Sequence, residues 1–157
     1  IRTGALPEDG VIARPLGKLT MVNCASPHYL TRFGYPQSPD DLTSHAIVRY
    51  TPHLGVHPLG FEVASVNGVQ WFKSGGMLTV NSSENYLAAG LAGLGIIQIP
   101  RIAVREALRA GRLIEVLPGY RAEPLSLSLV YPQRRELSRR VNLFMQWLAG
   151  VMKEHLD

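Results

Sequence analysis

Cysteine is the scarcest informative residue in this sequence: Cys24 stands alone among 157 residues. It has no partner within the chain, so no internal disulfide can form, and a reducing cytoplasm is the natural expectation. Long apolar runs are absent as well. No stretch approaches the roughly 20 residues that a membrane-spanning helix needs, and no basic-then-apolar leader opens the chain. A membrane is therefore not an expected partner. An initiator Met is also lacking, and Ile1-Arg2-Thr3-Gly4 begins as if inside a strand. The chain reads as a piece of a longer polypeptide.

Catalytic and metal-binding patterns are missing too. Among His28, His45, His53, His57 and His155, only His53 and His57 have a ligand-like spacing. Pro52, Gly55 and Pro58 forbid the helix that such a spacing would use. The carboxylates are scattered, with no acid/base pair. Gly93 and Gly95 are not followed by Lys-Ser/Thr and so form no phosphate loop. Cys24 lies near Ser26 and His28, but Pro27 intervenes and an apolar strand precedes it. A buried structural thiol is the better reading than a nucleophile. No cofactor, metal or enzymatic activity is expected. Charge is modest, with 16 Lys and Arg against 12 Asp and Glu. The densest basic run, Arg134, Arg135, Arg139 and Arg140, has no interleaved aromatics and reads as the solvated start of the last helix.

What is present is a globular composition, 46% hydrophobic, sufficient for one core or two small lobes sharing a hinge. The segment from Val80 to Pro100 encodes a full strand–cap–helix–turn–strand unit. Asn81 is a suitable N-cap, with Glu84 three residues later as in a capping box. Tyr86, Leu87, Gly90, Leu91 and Leu94 recur near helical spacing. Gly93 can close the helix in a left-handed conformation, and Gly95 releases the chain into Ile96 to Ile99.

Further elements flank this unit. Leu19 to Asn23 reads as a strand, and Ser26-Pro27 starts a helix that stops at Gly34. Ser38-Pro39-Asp40-Asp41 repeats the start signal. Ala46 to Tyr50 is a strand, and Asn67-Gly68 joins two strands in a hairpin. Arg101 to Ala110 is a helix closed by Gly111, Leu113 to Leu117 a strand, and Leu125 to Tyr131 an alternating strand. The last helix places Leu137, Val141, Phe144, Met145, Leu148 and Met152 on one face. Strands alternating with helices predict an α/β fold with mainly parallel pairing.

Several separated motifs resemble the effector-binding region of LysR-type transcriptional regulators. They are the opening Ile1-Arg2-Thr3-Gly4, Cys24-Ala25-Ser26-Pro27 with Tyr29-Leu30, and Pro39-Asp40-Asp41-Leu42 followed by His45. The Val80–Pro100 unit, Ala110-Gly111-Arg112-Leu113 and Tyr131-Pro132 complete the set, in order and along nearly the whole chain. The resemblance implies a periplasmic-binding-protein-like, two-lobed α/β fold. Residues 1–19 would be a remnant of subdomain I, 20–123 a complete effector-binding subdomain II, and 124–157 the return crossover strand and C-terminal helix of subdomain I. It implies a bacterial cytoplasmic sensor that binds a small-molecule effector, a carboxylate among the candidates, in the cleft between lobes. DNA would be bound only through a winged helix-turn-helix absent from this chain, with RNA polymerase as a further partner of the full-length protein. It also implies a homo-oligomer, in which the Leu87, Leu91 and Leu94 face would drive self-association. A solute-binding protein for transport shares the architecture and stands as the alternative.

The candidate effector contacts come from both readings. The first N–H groups of the helix after Asn81, with the Ser82 and Ser83 hydroxyls, form a potential anion site, although capping alone also accounts for these residues. Tyr50, Thr51 and Pro52 sit where a strand opens into a loop, the usual place for ligands in α/β folds. Arg2 offers a carboxylate a bidentate fork, with Thr3 beside it. Gln98 and Pro100, at the end of the Ile96 strand, are further candidates.

Overall fold

The computed structural model describes residues 1–3, 11–51, 60–132, 138–153 and 156. The chain divides into two compact units, Ile1–Thr20 with Pro124–Asp157, and Met21–Glu123. In chain order the first elements are β1 (Arg2–Thr3), β2 (Val11–Leu19), β3 (Met21–Ala25), α1 (Pro27–Phe33) and β4 (Ala46–Tyr50). The hairpin β5 (Phe61–Ser65) and β6 (Gly68–Phe72) follows, then β7 (Gly75–Val80), α2 (Ser83–Leu91) and β8 (Ile97–Pro100). The chain continues through α3 (Arg101–Arg109), β9 (Ile114–Glu115), β10 (Leu125–Pro132) and α4 (Arg139–Met152).

The first unit holds the antiparallel sheet β1-β10-β2 and α4. The apolar run expected as one strand from Leu19 to Asn23 is split at Thr20. Leu19 pairs with Leu125 in this sheet, whereas Met21 pairs with Pro100 in the other unit. The final helix also departs from expectation. Met145 is buried, yet Val141 and Phe144 are exposed, together with Leu143, Trp147 and Val151. Leu137 lies outside the described residues.

In the second unit, β3 pairs antiparallel with β8 and β9, and β5 with β6; among the described residues only β4 with β7 is a parallel strand pair. A parallel bridge, Ile47 to Ile96, links β4 to the start of β8. The expectation of mainly parallel pairing is thus corrected. β8 and β9, joined through α3, run in the same direction on either side of β3, and β3 alone runs opposite to both, so its two pairings are antiparallel. One cluster of buried side chains gathers Val22, Cys24, Val48, Tyr86, Ile97, Val104 and Leu113; a second holds Ala25, Tyr29, Leu42, Ile47, Phe61 and Ile96. Leu87 and Leu91 pack against the first cluster, so of the face expected to drive self-association only Leu94 is substantially exposed.

Local signals place these elements. Ser26 caps α1 by accepting from the Tyr29 N–H at 3.2 Å. The turn at Pro39–Ser44 is held by the Asp41 carboxylate, which accepts from the backbone N–H groups of Gln37 (2.8 Å) and Ser38 (3.0 Å). Those bonds, Gln37 first, hold the Asp41 carboxyl below its ordinary range. Gly90 lets α2 sit directly on β8, since an added Cβ would lie 2.6 Å from the Ile97 Cδ1. At Gly95 the φ of +156° and the Ala46 carbonyl oxygen, 2.6 Å from an added Cβ, leave no alternative to glycine. A side-chain tip can move and a strand carbonyl cannot. Gly95→Ala is therefore expected to cost more stability than Gly90→Ala, and urea unfolding of the two variants measures the order.

Buried His45 meets the Tyr29 hydroxyl at 3.0 Å through Nδ1. Burial lowers its pKa from the ordinary 6.5, with the Asp41 charge opposing. The unfolded chain therefore takes up the proton first, and acid favours unfolding. Stability should fall as pH drops below about 6.5, and His45→Gln should flatten that slope. Unfolding free energies measured from pH 7 to 5 check it; an unchanged slope in the variant would exclude His45 as its source.

Candidate functional site

Because β4 and β7 run parallel in the register Tyr50–Val80, their C-terminal ends open at the same edge of the second unit. The Thr51 N–H donates to the Val80 carbonyl at 2.9 Å and extends that pairing by one residue. The chain turns through Asn81 and Ser82 straight into α2, so Tyr50, Thr51, Asn81, Ser82 and Ser83 come together. β8 joins through Ile96, which is bonded to both Ala46 and Val48, and runs in the same direction as β4. Thr51 is buried, while Tyr50 is 44% exposed and lays its ring 5.6 Å from that of Tyr86. Pro52, His53 and His57 lie outside the described residues. Arg2 and Thr3 are exposed on β1 of the other unit, opposite Ser128 and Leu127.

The cap of α2 differs from the expectation. Ser82, not Asn81, is the N-cap, and its Oγ accepts from the Asn85 N–H at 3.4 Å. β7 ends at Val80, the chain bends at Asn81, and Ser82 is extended (φ −122°, ψ 137°), so the helix begins one residue later. Glu84 does not reach back to a backbone N–H of the cap residue as in a capping box. Its carboxylate instead accepts from the Ser82 hydroxyl at 2.6 Å and the Ser83 hydroxyl at 3.3 Å. Those bonds, Ser82 first, hold the Glu84 carboxyl below its ordinary range. The helix start thus already carries a negative group where an anion is favoured.

Gln98 is engaged within the protein. Its Nε2 donates to the Asn23 Oδ1 at 2.9 Å and the Glu62 carbonyl at 2.8 Å, and its Oε1 accepts from the Glu62 N–H at 3.3 Å. Asn23, fully buried, donates through Nδ2 to the carbonyls of Leu117 (3.2 Å) and Tyr120 (2.9 Å). The Gln98 N–H donates to the Tyr86 hydroxyl at 2.8 Å, and burial raises the Tyr86 pKa, so that phenol stays neutral. Pro100, paired with Met21, ends β8 and caps α3 without a side-chain bond. Sequence reasoning placed Gln98 at the site but missed Asn23 and Tyr86 behind it. The signal for Asn23 was an amide inside the apolar run Met21–Ala25.

Cys24 is buried and its thiol is pushed up to about 12, chiefly by burial and then by the Glu115 charge. It stays a thiol and serves as core. Among the described residues no group of three or more His, Cys, Asp or Glu could hold a metal ion, and no helix is long and apolar enough to cross a membrane.

The strand ends opening at a helix start belong to an α/β module, and comparison with known proteins gives it a family. The model of the LysR substrate binding domain matches residues 1–153, and the chain belongs to that family. It is 99% identical over its full length to an uncharacterized HTH-type transcriptional regulator, YhjC, of Escherichia coli strain K12, covering 52% of that protein. It is 30% identical over 156 residues to the HTH-type transcriptional activator AaeR of the same strain, covering 98% of this chain and 49% of that one. The chain thus spans about half the length of the curated relatives it matches. Its fold is similar to the regulatory domain of CrgA, a LysR-type transcriptional regulator from Neisseria meningitidis (TM-score 0.77, 26% identity, 96% of this chain and 72% of that one). It is also similar to the full-length Vibrio cholerae virulence activator AphB (TM-score 0.79, 25% identity, 95% and 50%). These likenesses establish the periplasmic-binding-protein-like fold expected from the sequence.

Removing Asn23 tests the support behind the site. Asn23→Leu takes the side-chain donor from the Tyr120 carbonyl and the acceptor from one Gln98 N–H, while the Leu117 carbonyl keeps the Tyr120 N–H, and a loss of about 1–3 kcal/mol is expected. Chemical unfolding measures it.

Proposed function

We propose that this chain is the effector-sensing domain of a bacterial cytoplasmic LysR-type transcription regulator and has no enzymatic role. The observation that carries the reading is the gathering of Tyr50, Thr51, Asn81, Ser82 and Ser83 at one strand edge of a LysR substrate binding domain. Tyr50 offers a partly exposed ring for an apolar or aromatic body, and the α2 start offers the Ser82 and Ser83 hydroxyls to a polar head that displaces the Glu84 carboxylate from them. Pro52 follows Thr51 in sequence, and Pro100 at the end of β8 is a further candidate contact. Gln98 acts as the support that holds the edge. Arg2 and Thr3 are candidate effector contacts on the other unit. That first unit, in this reading, belongs to subdomain I, and Met21–Glu123 is subdomain II.

The mechanism is differential affinity. An effector that binds one of two protein states more tightly shifts the population toward it, and so changes how the DNA-binding part of the regulator is presented. Homo-oligomerisation, DNA binding through a winged helix-turn-helix and contact with RNA polymerase belong to the whole regulator. The transport alternative loses support, because the relatives are transcriptional regulators.

A thermal-shift panel of small carboxylates and aromatic acids tests the reading. A true effector at 100 times its dissociation constant adds about 2.7 kcal/mol. Its shift should shrink in Tyr50→Ala and in Ser83→Ala, both at exposed positions. A ligand that stabilises both variants as much as the parent would move the site elsewhere.

A further inference from the structure

We infer that the arginine face of α3 binds the phosphate backbone of duplex DNA without reading its sequence. The inference rests on the regulator reading above, since regulation of transcription brings a duplex within reach. Between Arg101 and Arg121 the chain has five arginines, two glutamates and no lysine or aspartate, which accounts for three of its four net positive charges. Arg101, Arg105 and Arg109 follow one another at four-residue intervals, a rise of about 6 Å each, so they stand in a row on one side of the helix. Val104 and Ala107 bury the other side. Arg112 extends the row just beyond the helix end and is exposed.

The acidic residues in the segment are too few to neutralise it. Glu115 is shared by Arg101 at 2.8 Å and Arg121 at 2.6 Å, and Glu106 by Arg109 at 3.2 Å and Arg105 at 3.9 Å. Each glutamate thus spaces and orients two guanidinium groups, and the surplus charge faces solvent. The side chains of Arg105 and Arg109 are 49% and 68% exposed. Arginine's planar fork suits phosphate oxygens, and a regular row of them suits a polymer with regular negative charge. The helix carries no aromatic residue on which a base could stack, which points to the backbone rather than to base edges. The regular spacing of the row along the helix matches the evenly spaced phosphates of a duplex, which favours DNA over an acidic protein, whose carboxylates have no such period.

Fluorescence anisotropy of the 157-residue chain with two labelled duplexes of unrelated sequence is the test, run at about 20 mM and about 150 mM salt. Both duplexes should bind equally and weaken with salt. Arg105→Gln/Arg109→Gln should bind at least about tenfold more weakly, with a log–log salt slope shallower by about 2. Arg139→Gln/Arg140→Gln removes the same charge from exposed positions of the other unit and should leave binding unchanged. No binding at the lower salt, or an equal loss in both variants, overturns the proposal. Competition by a polyglutamate peptide as effective as that by unlabelled duplex would also overturn it, marking the face as a site for acidic proteins. No effector is needed in this experiment, so its failure would leave the sensing reading intact, and a failed effector screen would not bear on it.

Discussion

The buried amide chain through Gln98 and Asn23 is the constraint on which the second unit depends. β8 has β3 on one side, but past Ile96 no strand among the described residues pairs with it on the other. Two substitutes fill that side. The Tyr86 hydroxyl takes the Gln98 N–H, and the Gln98 side chain pairs with the backbone of Glu62 as a neighbouring strand would. Asn23 then passes the connection to Leu117 and Tyr120. Backbone groups from the hairpin, the central sheet and the return loop are thereby satisfied by three side chains, Gln98, Tyr86 and Asn23. In a dry interior such a network is stabilising only while every member is paired.

That constraint also places the candidate site. Tyr86 can reach Gln98 only because Gly90 and Gly95 let α2 descend onto β8 and β4. With α2 held there, its first turn stands against the ends of β4 and β7, and Tyr50 rests on Tyr86. An effector that touched Tyr50 or the α2 start would thus press on the element that closes the amide chain. Glu84 adds a local condition. Its carboxylate already occupies the Ser82 and Ser83 hydroxyls, so an anionic head group at this position competes with it for the same donors.

Much of the fold was legible in short-range signals, because those signals act within a few residues. Ser26-Pro27 specifies a helix start by local dihedral preference and stands where expected; the hairpin expected at Asn67-Gly68 is present, but its two turn residues are Val66 and Asn67, and Gly68 already pairs with Ser65 in β6. The family resemblance came from such motifs in sequence order. The shift of the cap from Asn81 to Ser82 was not legible, since both residues are competent caps and the choice depends on where the chain bends after β7. Nor was the exposure of Phe144 and Trp147 on α4. A helical pattern shows which residues are apolar, not how wide a face its neighbours cover.

By itself, then, the sequence determined most of the elements, the α/β class and the family. Each of these follows from local chemistry or from motif order. The tertiary structure alone decided the antiparallel pairing of β3 with β8 and β9, the role of Gln98 as support, and the occupation of the α2 start by Glu84. Those outcomes depend on partners far apart in the chain: Asn23 and Gln98 are 75 residues from one another and meet only when the sheet has formed.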